Sequence, residues 1–192
     1  MQMVIKERAS MCDAIMAYIL LMINYRKKGY VSLPKTWKSL RTFCSRACAY
    51  IQKVHKFNHD PLKGQVFVAK KNGVVVGTVC VECNPTKTPI DHIFPDELKE
   101  LRSSNQPFIY LGSFAVASKY KCTRLSLRML RQVWSMVKTK DINVGICVVH
   151  PDHVSFYKSF GFSLVAESMM IELDHAPAAL LVIKRQDVRL KV

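Results

Sequence analysis

The sequence predicts a mixed α/β domain with helices packed on a single sheet. Three observations predict it. The first sixty residues read as helix. From Val66 onward, short β-branched runs alternate with helical patterns and turn signals. No internal repeat and no Gly- or Ser-rich linker interrupts the chain. A length of 192 residues fits one domain spanning 1–192. Hydrophobic residues at 49% supply a core, and 22% charged residues with only 7 Gly and 8 Pro exclude disordered and collagen-like classes.

The elements follow in order. Residues 14–25 form an apolar helix that stops near Gly29. Its apolar run, 14–23, is too short to span a bilayer and lacks the cleavage site of a signal peptide. A second helix covers 34–56. Residues 66–69 begin a hairpin, because Asn72-Gly73 suits a tight turn into the return strand 74–82. Residues 84–89, Asn-Pro-Thr-Lys-Thr-Pro, are a loop. A short helix over 94–102 has Pro95 in its first turn and Asp96 and Glu97 favourably placed for its dipole. A strand follows at 108–116, then an amphipathic helix at 123–138 with a core stripe of Leu127, Leu130, Trp134 and Val137. Residues 144–149 read as a buried strand, and Pro151 opens a helix ending at Gly161. Strands at 162–166, 169–173 and 180–184 close the sheet.

The charge is lopsided, with 29 Lys and Arg against 14 Asp and Glu, a net +15. That charge calls for an acidic partner: nucleic acid, an anionic membrane or an acidic protein. No recognition helix, Arg-rich tail or aromatic–basic strand accompanies it, so no nucleic acid is expected. The 7 scattered Cys fit a cytoplasmic chain without disulfides.

The most informative stretch is 150–162, His-Pro-Asp-His-Val-Ser-Phe-Tyr-Lys-Ser-Phe-Gly-Phe. A strand, a helix carrying Phe-Tyr and a closing Gly-Phe resemble the last motif of GNAT-superfamily acyltransferases. Its His-Pro-x-His opening is similar to that of the N-acyl amino acid synthases, relatives of the acyl-homoserine-lactone synthases. Residues 17–30, ending Tyr-Arg-Lys-Lys-Gly-Tyr, resemble that branch's N-terminal helix. Val76-Gly77-Thr78-Val79 resembles its strand after the hairpin. Residues 94–102 with Leu-Gly-Ser-Phe-Ala-Val at 111–116 resemble its short helix and central strand. The matches run in the expected order over about residues 10–170.

The resemblance implies a GNAT fold, with a mostly antiparallel twisted sheet, flanking helices and N-terminal lid helices. It implies transfer of a medium or long fatty acyl group from an acyl carrier protein thioester to the amine of a tyrosine-like or apolar amino acid. No cofactor is bound, and the acyl-phosphopantetheine is substrate. In such folds the pantetheine arm pairs with the central strand, here Leu111, Gly112 and Val116, and a backbone N–H polarises the carbonyl, here at Phe114 or Ala115. Tyr157 stands where the family's general acid stands. A phenol of ordinary pKa ~10 protonates a departing thiolate without being charged at rest. The bland alternative is that Tyr157 and Phe156 only pack their helix.

Two departures from the family pattern matter. CoA-using members carry two glycines in a pyrophosphate cradle before the helix. Here Lys121, Cys122, Thr123, Arg124, Leu125 and Ser126 occupy it. Arg124, Arg128 and Arg131, spaced four and three, share one helix face, and Lys119, Lys121 and Lys138 extend it. The basic 119–138 face therefore suits acidic acyl carrier protein. The rival readings are a CoA-dependent acyltransferase acting on a small amine and a silent GNAT-like binding module. Secondly, Tyr110 or Leu111 stands where the lactone synthases carry a glutamate, which leaves Glu82, Asp91 or a water as base. Arg26 and Arg41, together with Glu82, are the acceptor-binding candidates, since a carboxylate needs a cationic fork. An anionic membrane surface is a further candidate partner.

Other signals carry less. Cys44, Cys48, His55 and His59 have metal-like spacing but fall on one helix, which cannot wrap four ligands round an ion. No metal is expected. Cys80 and Cys83 lie on a strand and face opposite sides. Cys122 at a helix start, with His150 and His153, is a conceivable nucleophile set, but direct amine attack needs none.

Overall fold

The computed structural model describes residues 3–6, 8–28, 37–120, 124–170 and 176–189. The elements are β1 (Val4–Lys6), α1 (Met11–Lys27), α2 (Trp37–His59), β2 (Gly64–Lys71), β3 (Val74–Cys83), α3 (Pro95–Ser103), β4 (Phe108–Val116), α4 (Leu125–Thr139), β5 (Val144–Val149), α5 (Val154–Lys158), β6 (Ser163–Met170) and β7 (Ala176–Lys184). They build a seven-stranded sheet in the order β1-β2-β3-β4-β5-β7-β6. The β4–β5 pair is parallel, while β1–β2, β5–β7 and β6–β7 are antiparallel.

The chain forms two compact units, Met1–Cys80 with Ser113–Leu130, and Val81–Gly112 with Arg131–Val192. In the first, α1 begins with a capping box. The Asp13 N–H donates to Ser10 Oγ at 3.1 Å, and the Ser10 N–H donates to Asp13 Oδ2 at 3.2 Å. Asp13 is buried, and Lys70 on β2 donates to its other oxygen at 2.6 Å. One carboxylate thus caps the helix and ties it to the sheet. Ala14, Ala17 and Leu21 of α1 pack with Tyr50, Val54 and Phe57 of α2, the β2 valines and Ala115 of β4. The Tyr50 and Thr78 hydroxyls hydrogen-bond at 3.2 Å within this core. Burial pushes the Tyr50 phenol above its usual range, more than the Thr78 bond lowers it. The β2–β3 hairpin turns on Asn72 and Gly73, at φ 54° and 78°, the consecutive left-handed pair of a type I′ turn.

In the second unit, Ile90, Phe94, Leu98, Phe108, Ile146 and Leu180 fill the core. Pro177 pairs with Met169 on β6, while the β5–β7 ladder ends at Val149–Ala179, so its missing N–H interrupts no ladder on that side. Gly161 has φ 102°, and a Cβ there would collide with the Asp187 carbonyl.

Several expectations change. β1, three residues long, is too short to show periodicity in sequence. Residues 163–170 form one strand, not the ends of two, with a bulge between Leu164 and Ala166 and with Glu167 exposed. A polar residue that suggests a break is tolerated on an edge strand. Residues 171–173 lie outside the described residues, as do 29–36. The segment after Pro151 is a 3₁₀ turn, Pro151–His153, leading into the five-residue α5. On α4, Leu127 is only half-buried, and Leu125, Met129 and Val133 join Leu130, Trp134 and Val137 inside.

The Asp13 clamp yields a prediction. Burial alone would raise this carboxyl, but Lys70 and Ser10 together hold it below the ordinary 3.8. A depressed folded-state pKa stabilises fully above the unfolded value and is lost as pH falls through the folded one. Asp13→Asn should therefore cost about 2 kcal/mol near neutral pH. The gap from the parent should narrow below about pH 4 in urea titrations run across pH.

Candidate active site

The parallel β4–β5 ladder covers Phe108–Val144 to Leu111–Cys147. β5 continues against β7 as far as Val149–Ala179. β4 continues through Gly112, Ser113 and Phe114, three successive half-buried residues, to the buried Ala115 and Val116. A regular strand alternates its sides, so this run marks a local irregularity. Its cause is Ser113, at φ 52°, a left-handed conformation rare for a non-glycine residue. A left-handed residue within a strand is the kind of break that can free backbone N–H groups, the donors that an oxyanion needs. Beyond it, the Ala117 N–H donates to the Val76 carbonyl at 2.9 Å, which restores order.

Gly112 is required by close packing. A Cβ there would lie 2.9 Å from the Tyr110 ring, two residues back on the same face. Gly77 on β3 has the same logic, for its Cβ would meet Met129 Sδ at 2.6 Å.

Tyr157 is buried in α5. Its ring meets Phe156 and Phe162 edge-on, both at 5.3 Å between centroids. Gly161 turns the chain so that the Phe162 N–H returns to the Tyr157 carbonyl at 3.3 Å. The Arg189 N–H reaches Phe160 O at 3.0 Å and pins the turn from outside. The phenol is thus set on a short, braced helix in an aromatic setting.

The structure distributes the expected residues as follows. Phe114, Ala115 and Val116 belong to the first unit, with Arg26, Arg41, Arg124 and Arg128. Leu111, Gly112, Glu82, Arg131 and Tyr157 belong to the second. Lys121, Cys122 and Thr123 lie outside the described residues. Ala115 points into the α1–α2 core. Arg26 and Arg41 are exposed. Glu82 is half-buried on β3. Arg124, Arg128 and Arg131 are all exposed along the start and outer side of α4, as is Lys138.

Asp91 is engaged by its own loop. Its Oδ1 accepts from the Thr88 N–H at 3.0 Å, from the Thr88 hydroxyl and from Arg102 Nη2 at 2.9 Å. Burial raises this carboxyl, but Arg102 and Thr88 outweigh it and hold the group below the usual range. A carboxylate so engaged is a poor proton acceptor. His150 caps the 3₁₀ turn, with Nδ1 3.2 Å from both the Asp152 amide nitrogen and Asp152 Oδ2. Cys44, Cys48, His55 and His59 all lie on α2. Among the described residues, no three His, Cys, Asp or Glu side chains cluster as a metal would require. Cys80 and Cys83 are buried, and burial raises the Cys83 thiol despite Lys140 beside it.

Sequence reasoning missed two features. The Ser113 turn had one signal, a glycine inside a strand. The other is Tyr120, flanked by Lys71 Nζ at 5.4 Å and Lys119 Nζ at 5.2 Å from its ring centre. It extends the basic surface next to the β4 exit.

A central strand with a left-handed break, a parallel neighbour reached through a helix, and a closing Tyr–Gly-Phe helix define the GNAT acyltransferase fold. Solved structures agree. FeeM, an N-acyl amino acid synthase from uncultured soil microbes, superposes with a TM-score of 0.76 at 16% identity, covering 98% of this chain and 96% of its own. A GNAT-family acetyltransferase from Streptococcus pneumoniae gives 0.64 at 14%, covering 95% and 99%. The Salmonella typhimurium YncA, a putative acetyltransferase solved with acetyl-CoA, gives 0.60 at 14%, covering 96% and 95%. No curated protein matches the chain by sequence. The FeeM family model, "N-acyl amino acid synthase FeeM", matches residues 17–184, and the chain belongs to that family of N-acyltransferases.

The braced turn after Tyr157 is testable. Gly161→Ala adds a side chain where φ is positive and a backbone carbonyl stands in the way. It should destabilise the fold by about 2 kcal/mol or more, read by thermal melting. Gly73→Ala in the open hairpin turn, where nothing lies near the added Cβ, should cost less.

Proposed function

We propose that this chain transfers a medium or long fatty acyl group from an acyl carrier protein thioester to the amine of a tyrosine-like or apolar amino acid, within the cytoplasm. The observation that carries the reading is the break at Ser113 just past the end of the β4–β5 ladder, in a member of this family. The pantetheine arm lies along β4 at Leu111, Gly112 and Val116. The thioester carbonyl accepts from a backbone N–H at Phe114 or Ala115. The neutral amine attacks that carbonyl carbon, so the C–N bond forms as the C–S bond breaks. The amine proton leaves to water or to Glu82, because Asp91 is already committed to Arg102. Tyr157 gives its proton to the departing thiolate and regains one from solvent. Arg26 and Arg41 remain candidates for the acceptor's carboxylate.

The donor's carrier is read from charge. The 121–126 segment lacks the two glycines of a pyrophosphate cradle, and the exposed arginines of α4 suit an acidic protein. A second reading, acyl-CoA as donor, is favoured by the similarity to YncA, which was solved with acetyl-CoA.

The purified chain should form an N-acyl amino acid from acyl carrier protein thioester, detected by mass spectrometry. Turnover with acyl-CoA alone would overturn the carrier assignment, and no turnover with either would leave a silent binding module. Tyr157→Phe should lower kcat about 10²-fold with unchanged melting. An unchanged kcat would remove Tyr157 from the chemistry. Arg128→Glu with Arg131→Glu should raise KM for the carrier thioester at least tenfold at low salt, with kcat held.

A further inference from the structure

The first helix carries a feature that catalysis does not use. A helix on a protein surface ordinarily turns polar residues outward. α1 does not. Its outward residues are Met11, Ile15, Met16, Ile19 and Ile23, exposed by 51, 43, 40, 43 and 48%. At about 100° per residue they fill an arc of roughly 140°, running ~18 Å along the helix. Cys12, also exposed, falls inside the arc, and no charge interrupts it between Met11 and Ile23. The opposite face is buried through Ala14, Ala17, Leu20 and Leu21. Apart from the buried Asp13, the helix is therefore apolar on both faces as far as Ile23, with one half spent on the core and the other left open.

The same region concentrates the charge. Residues 1–59 hold 11 Lys and Arg against 2 Asp and Glu, so +9 of the +15 lies in less than a third of the chain. One of those two acids, Asp13, is already paired with Lys70. Arg26, Lys27 and Lys28 close the C-terminal end of the apolar arc, all exposed. α2 packs against α1, contains no acid, and exposes Arg41, Arg46 and Lys56.

We propose that the outer face of α1 docks on an anionic lipid bilayer, its apolar arc sinking into the headgroup boundary and the flanking cations of α1 and α2 meeting lipid charge. An apolar face bordered by Lys and Arg is the pattern of helices that lie in the plane of a membrane interface. A second copy of this chain would set like charge against like charge, because Arg26, Lys27 and Lys28 flank the same face. An acidic protein would answer the charge but would also need an apolar groove matched to the arc. A fluid bilayer answers both without shape matching. No described helix is long and apolar enough to cross a membrane, so this is surface contact. The proposal goes beyond the transfer reaction, and its test uses no substrate.

The experiment is co-sedimentation of the full chain with vesicles of phosphatidylcholine, with and without phosphatidylglycerol. Binding is expected only with phosphatidylglycerol, and should weaken between about 50 and 500 mM salt. Ile15→Asp with Ile19→Asp should lower affinity at least tenfold with unchanged melting, because both sites face solvent. Arg46→Gln with Lys56→Gln should lower it about tenfold. Absence of binding to phosphatidylglycerol vesicles would overturn the proposal. So would binding indifferent to the Ile15 and Ile19 changes, which would reduce the effect to bulk charge. A dimer in light scattering, dissolved by the same two changes and without vesicle binding, would assign the face to a second copy instead.

Discussion

The parallel pairing of β4 with β5 is the constraint on which the rest of the site depends. Parallel neighbours cannot be joined by a tight turn, so the chain must leave β4, cross through α4 and return as β5. That crossover sets the beginning of α4 shortly after the end of β4, where helix N–H groups favour negative charge. The four-pair ladder then ends, and Ser113 turns the β4 backbone through a left-handed conformation. A strand locked to a partner on both sides has no N–H to offer a substrate. A strand whose ladder with one neighbour has ended can offer one on that side. Gly112 and Tyr110 fit this logic, because the ring lies where a side chain at 112 would otherwise stand.

The legibility of the sequence follows the same division. β4 and β5 were readable to the residue because buried strands in a mixed sheet are nearly continuous apolar runs. The Asn72-Gly73 turn was readable because its backbone demands those residue types. The start of α1 was misplaced by three residues, although Ser10 and Asp13 spell a capping box. The apolar run beginning at Ala14 drew attention past it. The edge strand 163–170 was split because Glu167 and Ser168 interrupt its apolar run, a pattern that local reading equates with a turn. The left-handed Ser113 was invisible, since no residue preference marks a serine there. Only Gly112, a glycine within a strand, hinted at an irregularity. The role of Asp91 was equally hidden, since it depends on Arg102 eleven residues away and on Thr88 folding back on it.

The family match and the site stand on different ground. The match spans residues 17–184, most of the chain. The likeness to FeeM at 16% identity speaks for the fold. Neither says which thioester enters or which amine leaves acylated. The proposed carrier rests on local chemistry, the missing glycines before α4 and the exposed arginines along it. The proposed carrier therefore turns on α4, whereas the proposed transfer step turns on β4 and Tyr157.

The arrangement of charge connects these parts. Acids that the structure resolves in ion pairs are each tied to a cation: Asp13 to Lys70, Asp60 to Lys63, Asp91 to Arg102 and Asp141 to Arg185. Each such pair removes one positive and one negative charge, so the excess of cations is untouched and remains on the surface. The proposed chemistry, by contrast, uses neutral groups: backbone N–H donors and a phenol. An amine must lose its proton before attack, and β4 carries no carboxylate that would hold it as the ammonium ion. In the two proposals, the surplus on α4 would meet an acidic carrier protein and that on the N-terminal helices anionic lipid. An uncharged central strand and strongly basic helices thus divide between them the two demands the proposals make, a neutral nucleophile and acidic surroundings.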